Sequence, residues 1–95
     1  MIFQRIFFLA VLLIAQGCDK QSPEEYLNNG DRFAQQLQWR SAIIEYKNAV
    51  KILPDDPQAR LKLGIAHIAV ANSAAAVKEL QKARNLGAKA SDYTL

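Results

Sequence analysis

Two side chains in this 95-residue sequence could act as nucleophile, metal ligand or proton carrier on their own, Cys18 and His67, and each occurs once. A single cysteine forms no intramolecular disulfide. Zinc asks for four N, S or O ligands with paired spacing, and one cysteine 49 positions from one histidine does not supply them. No GxGxxG, P-loop, GxSxG or HExxH occurs anywhere. The chain is therefore expected to be no enzyme by itself and to need neither cofactor nor metal. Its 10.6 kDa allow one domain at most. The pI of 9.2 rests on scattered basic residues. A nucleic-acid module clusters them, so nucleic acid is not an expected partner.

What Cys18 could do depends on what precedes it. Residues 6–15 are ten uninterrupted apolar positions behind the single charge of Arg5. A bilayer-spanning helix needs about 20, so the run reads as the apolar region of a secretory signal. It ends in Ala15-Gln16-Gly17-Cys18-Asp19, which resembles the lipobox of bacterial lipoproteins. The resemblance implies cleavage between Gly17 and Cys18, a diacylglycerol on the Cys18 sulfur and an acylated amine. More than one buried acyl chain is what stable anchoring requires. Ala15 and Gln16 depart from the Leu and the Ala or Ser usual in that family. Asp19 resembles an enterobacterial signal for inner-membrane retention, which favours the inner over the outer membrane. The implied location is the periplasmic side of a bacterial envelope. Residues 18–95 would carry 11 Lys and Arg against 9 Asp and Glu, a net +2.

The rest of the chain repeats. A shift of 34 residues superposes Pro23 on Pro57, Leu27 on Leu61, Gly30 on Gly64, Ala42 on Ala76, Glu45 on Glu79 and Ala49 on Ala83. Ser22-Pro23-Glu24-Glu25 reads as a helix start, an N-cap serine with proline at the first helical position, and Asp56-Pro57 repeats it. Tyr26, Leu27, Gly30, Phe33, Ala34 and Leu37 form one helical face; a turn near Gln38 leads to a second, with Ala42, Ile43, Tyr46, Ala49, Val50 and Leu53. Pro54 and the Asp55-Asp56 pair end it. The next unit carries Leu61, Leu63, Gly64, Ile65 and Ile68, then Ala76, Val77, Leu80, Ala83 and Leu86, with Gly87 as a C′ residue. Mid-helix glycine costs about 1 kcal/mol relative to alanine. Gly30 and Gly64 therefore suggest close helix approach, with room left by Ala42 and Ala76.

These residues resemble the tetratricopeptide repeat (TPR). The first unit supplies Tyr26, Gly30, Phe33, Ala42, Tyr46, Ala49 and Pro54, and departs at Asn29. The second supplies Leu63-Gly64, Ala76, Leu80 and Ala83, and departs at Arg60, His67 and Ala88. The expected fold is an all-α helix-turn-helix solenoid after a signal peptide. Residues 1–17 would be the signal, 18–22 the lipidated cysteine and a short tether, 23–56 and 57–90 two repeats, and 91–95 the start of a third. Stacked repeats bury their faces only on neighbours, so the chain is expected to be the N-terminal part of a longer protein whose further repeats cover the second unit.

The lipobox, the Ser-Pro-Glu start and the segments 41–50, 56–64 and 76–83 also resemble the TPR lipoprotein of the PEP-CTERM/exosortase system (PrsT type). That resemblance implies a membrane-anchored scaffold for exopolysaccharide production, export or protein sorting. Two alternatives stay open, a lipoprotein of outer-membrane or pilus assembly, and the recognition arm of an enzyme whose catalytic domain lies beyond residue 95.

A TPR holds a protein or peptide partner in the groove lined by its first helices. By resemblance the groove positions are Glu24, Leu27, Asp31, Ala34 and Gln35, then Gln58, Leu61, Ile65, Ile68 and Ala69. Asp31, Gln35, Leu61, Ile65 and Ile68 are the chief candidates. Leu27 and Asp31 stand where chaperone-binding relatives clamp a carboxylate with Asn and Lys, so an apolar or basic partner segment is expected instead. His67 and Trp39 read as packing residues. Lys47, Lys51, Lys78 and Lys82 read as a solvated face, with Glu45 and Glu79 as surface charges beside it.

Overall fold

The computed structural model describes residues 21–93. The apolar run, the Gly17–Cys18 junction, Asp19, Thr94 and Leu95 lie outside the described residues. Among those described, the secondary structure is helical throughout. Helix α1 runs Pro23–Gln35, α2 Trp39–Ile52, α3 Pro57–Ala69 and α4 Ser73–Asn85. A 3-10 turn over Ala90–Tyr93 follows, where the sequence reads as the opening of another repeat.

The helix starts follow from their caps. The Ser22 hydroxyl accepts from the Glu25 N–H at 3.2 Å, and the Asp56 carboxylate accepts from Gln58 at 3.4 Å. Each is followed by a proline whose missing N–H has no intrahelical partner to lose. Asn72 caps α4 through Ala75 at 3.3 Å. Gln38 precedes α2 without a side-chain cap.

Three helices end in the same way. After α1, Gln38 donates its N–H to the Phe33 carbonyl and Leu37 donates to Ala34; after α3, Asn72 donates to His67 and Ala71 to Ile68; after α4, Ala88 donates to Ala83 and Gly87 to Arg84. This paired closure is the Schellman motif, which needs a left-handed residue at C′. Gly87 supplies it at φ +108°, but Leu37 and Ala71 adopt φ +60° despite their Cβ atoms. Leu37 is consequently not part of the α1 core face; it projects from the turn, 76% exposed. Helix α2 ends differently, at Leu53 before Pro54, because the residue before a proline is pushed out of the helical region.

Short turns make α1–α2 and α3–α4 antiparallel hairpins, and α3 packs on α2 to join them. The core lies at that junction. Ala42, Tyr46 and Val50 of α2 meet Ala59, Leu63 and Ala66 of α3, with Leu27, Phe33, Ala34, Trp39 and Ile43 against them. Ala49, Ala76 and Ala83 are also buried, and Leu80 is half-buried. The partner of each mid-helix glycine is a side chain sixteen positions on rather than Ala42 or Ala76. A Cβ on Gly30 would lie 2.6 Å from Tyr46 Cδ1, and one on Gly64 would lie 2.7 Å from Leu80 Cγ. Pro54, a repeat-packing candidate, is exposed and acts through its backbone. Leu53, Val77 and Leu86 are exposed rather than core.

Candidate functional site

The groove begins with the register of α1 and α3. Asp31, Ala34 and Gln35 lie three to four residues apart on one face of α1, as do Gln58, Leu61, Lys62 and Ile65 on α3. The hairpin stack sets these two faces side by side. Between them opens a cleft of about 430 Å³, with Trp39 and Tyr46 of α2 and Asp92 of the 3-10 turn completing its wall. Of the candidate residues, Asp31, Gln35, Leu61 and Ile65 come together there. Leu61 is buried, and Ile65 is half-buried. Ile68 does not line the cleft; it stands 57% exposed near the end of α3, one turn beyond Ile65. Glu24, Leu27 and Ala69 are also off the cleft wall.

A polar triad spans the cleft. The Tyr46 hydroxyl donates to Asp31 Oδ1 at 2.7 Å, and Lys62 Nζ donates to both Asp31 oxygens at 2.9 Å. Burial first, then the hydrogen bond and charge of Asp31, raise the Tyr46 phenol far above its ordinary value. It is a fixed donor at any physiological pH. Lys62 cancels the Asp31 charge and ties α3 to α1. The expectation of a groove that attracts a basic segment through Asp31 therefore changes: the carboxylate is already paired. What the walls offer is Gln35 and Gln58 amides beside Leu61, Ile65 and the half-buried Trp39 ring, with Asp92 at one end. Asp92 Oδ2 in turn accepts from the Lys89 N–H at 2.8 Å. Lys62 escaped the sequence reading, although its four-residue spacing from Gln58 places it on the groove row.

A second polar feature lies between α3 and α4. Arg60 donates to Glu79 Oε2 at 2.9 Å and, through Nε, to the Pro54 carbonyl at 2.9 Å. Glu79 is thus a buried ion-pair partner and no surface charge. Beside it His67 is only 6% exposed and its Nδ1 has no hydrogen-bond partner. Burial, and then the charge of Lys47, lower its pKa from 6.5 against the opposing pull of Glu79. Among the described residues no three Asp, Glu, His or Cys side chains gather as a metal site would require, and no helix is long and apolar enough to cross a membrane.

A row of antiparallel helix pairs with a cleft along its first helices defines a helical-repeat interaction protein. Residues 30–69, from the glycine of α1 to the end of α3, match the family model described as TPR repeat. The all-α stack is consistent with a TPR helical repeat, and TPR repeats generally serve as protein–protein interaction scaffolds. No curated protein and no solved structure matches the chain.

Proposed function

We propose that the protein is a non-enzymatic, membrane-anchored TPR scaffold on the periplasmic side of a bacterial envelope. It holds one protein partner in the cleft between α1 and α3 and tethers it through lipid on Cys18. The observation that supports the groove reading is the neutralised Asp31–Lys62 pair flanked by Gln35, Gln58, Leu61 and Ile65. An uncharged amphipathic segment suits such walls: amides for its backbone and an apolar strip for its side chains. The anchor rests on Cys18 following residues 6–15. The resemblance to the PEP-CTERM/exosortase lipoprotein supports a role in exopolysaccharide production or protein sorting.

Two substitutions test the two halves separately. Ile65→Asp puts a charge on the cleft wall and is expected to abolish partner co-purification while circular dichroism stays helical. Cys18→Ser is expected to remove the acyl mass and to release the chain from membranes washed at high salt, which removes any purely electrostatic attachment. Partner retention by Ile65→Asp removes the groove reading, and membrane retention of Cys18→Ser after the high-salt wash, with no acyl mass on the parent, removes the anchor.

A further inference from the structure

The second helix of each hairpin carries its charges asymmetrically. On α2, Arg40, Ile44, Lys47 and Lys51 recur at i, i+4, i+7 and i+11, one stripe opposite the buried Ala42, Tyr46 and Ala49. On α4, Lys78 stands at the position equivalent to Ile44 and Lys82 lies one turn further on, both opposite Ala76 and Ala83. All five cations are exposed. The 34-residue repeat places α2 and α4 at equivalent positions in successive hairpins, so both stripes look outward on the same side of the stack. The acids of these helices are turned inward. Glu79 is buried against Arg60, and Glu45 is half-buried beside Phe33 and Arg32 of α1. The exposed acids among the described residues, Glu24, Glu25 and Asp55, lie in the first turn of α1 and in the α2–α3 loop.

We propose that this outer face of α2 and α4 docks on an anionic phospholipid surface. Charge complementarity argues for a polyanion: the face presents five cations and no exposed carboxylate on its helices. Ile44 argues for a bilayer over a hydrated polymer. It is 61% exposed at the centre of the Arg40–Lys47–Lys51 stripe. A hydrated polysaccharide or nucleic acid gives an isoleucine nothing to enter. At a bilayer it reaches the acyl boundary while the flanking Arg and Lys stems lie along the apolar zone and their charges meet headgroup phosphates. The cleft opens between α1 and α3, so this orientation leaves it free for a partner. The inference goes beyond the scaffold reading and stands without lipid on Cys18.

The test is sedimentation of the full chain with phosphatidylcholine vesicles, plain or carrying one-third phosphatidylglycerol. Any affinity from the apolar residues 6–15 is common to both and cancels in the comparison. The chain is expected to partition about tenfold more strongly onto the anionic vesicles, with the preference lost at raised salt. The combined Lys47→Gln, Lys51→Gln, Lys78→Gln and Lys82→Gln variant changes only exposed positions to a residue of similar helix propensity. It is expected to bind both vesicles alike. Ile44→Ser is expected to weaken anionic-vesicle binding several-fold while leaving binding to dextran sulfate unchanged. Equal partition of the parent chain, or an undiminished preference in the glutamine variant, overturns the proposal. So does an Ile44→Ser variant that binds vesicles as the parent does, since that result makes the face a site for a soluble polyanion.

Discussion

Arg60 of α3 and Glu79 of α4 form a 2.9 Å ion pair whose side chains are 12% and 11% exposed, while the equivalent positions of the first hairpin hold Tyr26 and Glu45. With tyrosine in place of arginine, Glu45 Oε2 is buried without a hydrogen-bond partner. One site of the repeat is therefore satisfied in the second hairpin and unsatisfied in the first.

This asymmetry gives different outcomes for the same chemical change. Glu79→Gln strands the Arg60 charge and is expected to cost about 2–3 kcal/mol, below a fully buried pair because part of each side chain stays wet. Glu45→Gln is expected to be close to neutral, within about 0.5 kcal/mol, since no ion pair is broken and the amide is left no less satisfied than the carboxylate it replaces. Urea denaturation of both variants decides it; equal losses would contradict the assignment.

The two glycines are expected to differ as well. A Cβ at position 30 would lie 2.6 Å and 2.9 Å from Cδ1 and Cζ of Tyr46. That ring is buried and held by Asp31. Gly30→Ala is expected to destabilise by about 1–3 kcal/mol despite the gain in helix propensity. At position 64 the obstacle is the half-exposed Leu80 side chain, which can turn toward solvent. Gly64→Ala is expected to cost less than about 1 kcal/mol. Thermal unfolding that ranks the two the other way would refute the packing argument.

Leu37 and Ala71 sit at φ +60° with exposed side chains. A left-handed conformation costs a non-glycine residue about 1–2 kcal/mol, of which glycine returns part as unfolded-state entropy. Leu37→Gly and Ala71→Gly are each expected to raise stability by about 0.5–1 kcal/mol. A rise in the urea midpoint at unchanged slope is the signature.

His67 makes the fold sensitive to mild acid. Its pKa is lower in the folded chain than the ordinary 6.5, so the unfolded chain binds the proton more readily. Its contribution is complete above that ordinary value and is lost as pH falls through the folded value. The neutral His67→Gln variant is expected to show a shallower fall in Tm between about pH 7 and pH 5 than the parent. Parallel curves would show that the imidazole takes no part.

What the sequence disclosed was local. Ser22 and Asp56 announce helix starts because caps act over three residues, and Gly87 marks a C′ position for the same reason. The 34-residue period shows because equivalent positions meet equivalent neighbours. Contacts that depend on how hairpins sit against each other were hidden. Lys62 reaches Asp31 across 31 residues, and nothing local to either predicts it. Arg60 read as a missing aromatic and Glu79 as a surface charge, because each is explained only by the other. Ile68 fits the groove on helical spacing, but the cleft wall on α3 ends one turn earlier, at Ile65. Leu37 and Ala71 adopt a conformation set by the path of the turn, against their own preference.

Site-specific photocrosslinking in the native cell tests most directly whether the cleft holds a single partner. A photoreactive residue is placed at Gln35 or Gln58, on facing walls of the cleft, or at Gln81 on the outer side of α4. One and the same protein adduct is expected from Gln35 and Gln58, absent from Gln81 and lost when Ile65→Asp is added. Adducts from Gln81 alone, or different proteins from the two cleft positions, would contradict a single partner held between α1 and α3.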